Sequence, residues 1–138
     1  MKIIYETPEG GVAVVTAAPG TPIANLVSKV VPYGASWDMV EDSVIPTDRT
    51  FRDAWEKSGS TIVEDLVKVK AIATGTLRQS AIKVIDSYDI RNDLGEATAY
   101  NKATIVTAYQ DCLADITGYT TVAEVKTCLN MFKTTYEN

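Results

Sequence analysis

From Ile62 to Tyr88 the apolar residues recur every three or four positions: Ile62, Leu66, Val69, Ala73, Leu77, Ala81, Val84 and Tyr88. That spacing predicts one long helix carrying a narrow apolar seam, which is stable only if other helices cover it. Thr61-x-x-Glu64 matches a capping box at its start, and Gly75 is a place where it can bend, costing about 1 kcal/mol relative to alanine. Two further stripes supply the cover. One runs from 97 to 117 through Ala97, Tyr100 or Asn101, Ile105, Ala108, Tyr109, Cys112, Leu113 and Ile116, and Gly118 closes it. The other follows a second capping box, Thr121-x-x-Glu124, through Val122, Val125, Leu129, Phe132 and Tyr136. With a loop at 91–96 and a short turn near 118, residues 60–138 read as three antiparallel helices, the ordinary connectivity of a bundle.

The first 45 residues follow a different period. "KIIYE" (2–6) and "VAVVTAA" (12–18) are β-rich runs around the glycine-containing turn "TPEGG", which predicts a hairpin. Thr21 is placed to cap a helix with Pro22 at its first position, and Ile23, Leu26, Val27 and Val30 give that helix an apolar face. "SWDMVEDSVI" (36–45) alternates well enough to read as a third strand. The fold class is therefore α+β: a small N-terminal ββαβ unit over 1–45, then the three-helix bundle. A unit this small buries little surface on its own.

Between them lies "IPTDRTFRDAWEKSG" (45–59), the densest group of charged and aromatic residues in the chain. Read as a helix, residues 46–59 form a hinge. Arg49 would meet Asp53 and Arg52 would meet Glu56 at i, i+4 spacing, each pair contributing about 0.2–0.5 kcal/mol. Phe51 and Trp55 would share the opposite face. Such a segment is either a joint pinned by its aromatics or a surface that docks another protein, since tryptophan and arginine favour interface hot spots.

Composition narrows the chemistry. The chain has no histidine, so Ser-His and Cys-His dyads are excluded. Its glycine turns match neither a P-loop nor a dinucleotide fingerprint. Cys112 and Cys128 are too few for a zinc site and read as buried free thiols, with an inter-helix disulfide as the alternative. Carboxylates pair at Glu64-Asp65, Asp86-Asp89 and Asp111-Asp115. The last two pairs lie one helical turn apart, a spacing that suits a metal-dependent hydrolase as well as a solvated helix face. A net charge of −5 argues against nucleic-acid binding. No apolar run is long enough to span a bilayer, and the N-terminus lacks the features of a signal peptide. A cytoplasmic protein without catalytic activity or cofactor is the expectation.

Two segments carry a resemblance. "MKIIYETPEGGVAVVTAAPG" followed by "VEDSVIPTDRTFRDAWE" resembles the start of small proteins encoded beside tail-fibre genes in tailed bacteriophages. The shared box falls on Pro46, Asp48, Arg49, Phe51, Arg52, Ala54 and Trp55. "AYQDCLADITGY" (108–119) is similar to a segment of phage tail assembly chaperones, matching at Tyr109, Leu113, Asp115, Ile116 and Thr117. The resemblance implies a non-enzymatic protein of the infected host's cytoplasm that assists assembly of, or binds, a tail-fibre or receptor-binding polypeptide. Residence in the virion as a structural component and inhibition of a host defence protein are the alternatives. It further implies a partner-binding or hinge role for Asp48, Arg49, Phe51, Arg52 and Trp55.

Overall fold

The computed structural model describes residues 1–137. They form an α+β protein of two units, Met1–Asp65 and Leu66 onward.

The first unit is built on strand β1 (Lys2–Glu6), which is central in an antiparallel sheet ordered β2-β1-β3, with β2 at Val12–Thr16 and β3 at Trp37–Val40. The β1–β2 turn is closed by the Thr7 amide on the Gly11 carbonyl (2.9 Å), and Gly10 takes φ +85°, a conformation that side chains disfavour. Register sets the two faces. Ile4 stands opposite Val14 and Asp38, while Ile3 stands opposite Val15 and Met39. Because directly opposed residues point the same way, one face gathers Ile4, Val12, Val14 and Val40. These pack with Ile45 and Trp55 into the unit's core. Helix α1 (Ile23–Val30) begins after Pro22, with no side-chain cap, so Thr21 does not fill the capping role its position suggested. The predicted third strand is shorter than 36–45: it stops at Val40, and Asp42–Val44 make a 3-10 turn.

Residues 46–59 are not a helical hinge. They lie inside the first unit, where a single 3-10 turn, Arg52–Ala54, leads into strand β4 (Trp55–Ser58). β4 pairs with β5 (Thr61–Glu64) as a tight hairpin, Trp55 opposite Glu64 and Ser58 opposite Thr61. Gly59, at φ +58°, opens the two-residue turn, where hairpin geometry wants glycine. Thr61 is therefore a strand residue, and the predicted capping box at Thr61-x-x-Glu64 does not form. The physical reason is one of scale. Beyond any burial of its aromatics, the helical alternative adds two surface ion pairs of a few tenths of a kcal/mol each. The strand seats the indole against Ile4, Val12, Val40 and Ile45, where full burial contributes about 1.5–3 kcal/mol, and adds the ladder with β5.

The second unit is the three-helix bundle, starting at 66 rather than 60: α2 (Leu66–Asp93), α3 (Lys102–Gly118) and α4 (Val122–Tyr136). α2 continues through Gly75, and Val69, Ala73, Leu77, Ala81, Val84 and Tyr88 are buried as the seam requires. α3 starts five residues later than the stripe suggested. Asn101 caps it by accepting the Thr104 amide at 2.8 Å, which leaves Ala97 and Tyr100 in the preceding loop. The second capping box forms: Thr121 Oγ1 accepts the Glu124 amide (3.3 Å) and donates to the Glu124 carboxylate (2.8 Å). Contacts between helix ends fix the directions. Lys70 near the start of α2 donates to the Thr117 carbonyl near the end of α3 (3.0 Å), and Lys102 at the start of α3 pairs with Asp89 late in α2 (3.8 Å). Tyr136, at the end of α4, meets Tyr100, just before α3, edge to face at 5.0 Å. Neighbours in sequence are thus antiparallel. The one buried polar residue among those described, Ser80, donates to the Glu137 carboxylate.

Candidate functional site

The segment 45–59 gathers six charged side chains around Phe51 and Trp55. Phe51 and Trp55 are 1% and 0% exposed, so neither offers its ring to a partner. Asp48 is exposed and turns back on the chain, accepting the Thr50 amide (2.9 Å) and hydroxyl (2.6 Å). Arg49 and Arg52 do not stand off the aromatic face as the helical reading had them. Their guanidinium carbons lie over the Trp55 ring at 5.9 and 5.0 Å from its centre. This is the geometry of cation–π attraction, with Arg52 the better placed. Lys57 is also structural. Its side chain is only 4% exposed, and its Nζ reaches Asp38 (2.6 Å), the Gly59 carbonyl (2.7 Å) and Ser36 Oγ (3.1 Å). The segment is a folded corner of the first unit whose basic side chains, Arg49, Arg52 and Lys57, serve that unit's own packing. Arg52→Ala should accordingly cost about 0.5–2 kcal/mol through loss of the ring contact, read as a shift in the urea midpoint. A loss below about 0.3 kcal/mol would match an ordinary surface ion pair instead.

The apolar surface that the first unit does expose lies elsewhere. Trp37 and Met39, alternate residues of edge strand β3, are close to half exposed, and Tyr33 in the preceding turn is fully exposed. The alternation of the sequence sets Trp37 and Met39 on the face opposite Val40, without indicating which of the two faces the core. Their spacing of two, beside Val40 at the core, was the available signal.

The segment 108–119, at the end of α3, contributes a wall to an open groove of about 380 Å³ between α3 and α4. Ile116 is buried and anchors the segment, while Tyr109 and Leu113 are half-buried. Thr117 spends its hydroxyl on the Leu113 carbonyl (3.0 Å). Asp115 faces the groove together with Asp111, and among the described residues these two carboxylates are the only charged groups lining it. The floor and far wall are apolar or neutral, with Cys112, Cys128, Met131 and Phe132 among them. Cys128 Sγ lies 3.9 Å from the Cys112 carbonyl oxygen. Burial first, then Cys128 and Asp115, push the Cys112 thiol up to about 12. Desolvation and the same two neighbours also raise Tyr119, at the groove's end.

The remaining carboxylate pairs do not join into a site. Asp89 is committed to Lys102, and Asp86 is exposed. Among the described residues no three cysteine or carboxylate side chains converge where they could hold a metal ion. Nor is any described helix long and apolar enough to cross a membrane. No family model, curated protein or solved structure matches the chain.

Proposed function

We propose that this chain is a non-enzymatic bacteriophage protein that binds a tail-fibre or receptor-binding polypeptide and assists its assembly. The observation that supports this reading is the position of the segment 108–119. Ala108, Asp111, Cys112, Asp115 and Tyr119 of that segment line the α3–α4 groove, and Asp115 is the residue carrying the resemblance that faces it. An apolar trough rimmed by two carboxylates suits a partner segment that inserts an apolar side chain and flanks it with lysine or arginine. Complementary charge of this kind sets orientation and encounter rate more than raw affinity.

Coexpression with a tail-fibre polypeptide should return a complex of the two chains. Reversing both rim charges, Asp111→Lys with Asp115→Lys, should weaken that complex about tenfold or more, equivalent to about 1.4 kcal/mol. Both residues are exposed, so the fold should survive. Equal binding by the reversed variant would remove the groove from the interface. Failure to recover any fibre polypeptide would sink the functional reading itself. Mass spectrometry of purified particles distinguishes a transient assembly factor from a resident structural component.

A further inference from the structure

Neither the fold nor the docking role calls for two thiols facing one another across a helix pair, yet α3 and α4 bring Cys112 and Cys128 together from sixteen residues apart. Both are free and both line the same open groove, Cys112 buried and Cys128 partly exposed. The Cys128 sulfur sits 3.9 Å from the backbone carbonyl oxygen of Cys112, which places the two residues side by side across the helix pair.

We propose that Cys112 and Cys128 are a dithiol pair that exchanges with low-molecular-weight disulfides to form a covalent staple between α3 and α4. Access assigns the order. The Cys128 thiolate, open to the groove, attacks one sulfur of the small disulfide; that S–S bond breaks, and one thiol leaves after taking up a proton. Cys112, losing its own proton to solvent, then attacks Cys128 Sγ and expels the second thiol. Two protein thiols are oxidised and one external disulfide is reduced to two thiols. Burial disfavours the Cys112 thiolate, so Cys112 does not meet the reagent first, and its attack on the adjacent mixed disulfide is the slow step. The staple would close where the surroundings cease to be reducing. It would tie together helices joined by a short connection, restricting the unfolded chain.

The full chain, incubated with oxidised glutathione as the probe, should lose the mass of two hydrogens and both titratable thiols. Fragments containing Cys112 and Cys128 should remain joined until dithiothreitol is added, and the thermal midpoint should rise. Cys128→Ser, at the more exposed position, should leave Cys112 unreacted. Cys112→Ala should stop at a stable mixed disulfide on Cys128. A wild-type chain that keeps a glutathione adduct, retains both thiols, or links to a second chain would overturn the pairing. So would an oxidised chain whose midpoint does not rise.

Discussion

Trp55→Ala should unfold most of the first unit. The indole is fully buried and completes a core made with Ile4, Val12, Val40 and Ile45. Truncating a buried Phe or Trp to alanine costs about 3–5 kcal/mol, because the lost transfer energy is compounded by a cavity that neighbours fill only in part. A unit of about 65 residues stands near the lower end of the roughly 5–15 kcal/mol typical of domains. The loss is therefore a large part of all it has. Two guanidinium groups also lose the ring beneath them. Amide hydrogen exchange read over residues 1–65 is the direct test, with protection in β1 and β4 expected to collapse. Among the described residues the buried indole N–H meets no acceptor, so Trp55→Phe removes volume but no hydrogen bond to them and should cost visibly less. If Trp55→Ala kept native protection while losing a binding partner, the core assignment would be wrong.

The second large effect is expected at Phe132→Ala. Phe132 is buried on α4, tilted against Tyr136 at 5.0 Å, and Tyr136 in turn meets Tyr100 edge to face. The three rings close one end of the bundle, so the substitution opens a cavity and also breaks an aromatic contact, each such contact contributing about 0.5–1.5 kcal/mol beyond its buried area. A total of about 3–5 kcal/mol follows. In a unit of this size each kcal/mol moves the midpoint by about 4–8 °C, so calorimetry should show a fall of at least about 12 °C. The adjacent Met131 is exposed, and Met131→Ala should stay within about 0.5 kcal/mol of wild type. Similar losses at both positions would mean that the face of α4 had been misassigned.

The bundle was legible because its signal is local and repeated. Every buried position of α2 except Ser80 lies on the stripe that the sequence displays, and Thr121-x-x-Glu124 caps α4 as its spacing requires. The stretch 49–64 was misread because it carries two patterns at once. Phe51, Ala54 and Trp55 fit a helical face, yet "WEKS" and "TIVE" flanking Gly59-Ser60 are a two-residue hairpin. Only the long-range choice of where to bury Trp55 decides between them, and no local window contains it. The groove was invisible for a related reason. Its two walls come from α3 and α4, and the meeting of Cys112 with Cys128 depends on how those helices are rotated against each other.

The placement of the aromatic side chains has a practical consequence. Both tryptophans, Trp37 and Trp55, belong to the first unit, while the second holds five of the seven tyrosines and no tryptophan. Among the described residues, three of the four α-helices, including the longest, belong to the second unit. Nature has thus labelled the two halves with different optical reporters. Tryptophan emission follows the β-rich half alone, a shielded indole at Trp55 contributing at shorter wavelength than the solvent-facing Trp37, which a soluble quencher reaches first. The helical band of far-ultraviolet circular dichroism follows mainly the bundle. One denaturant series recorded in both channels would tell whether the halves melt as one cooperative body or in succession, with no probe attached.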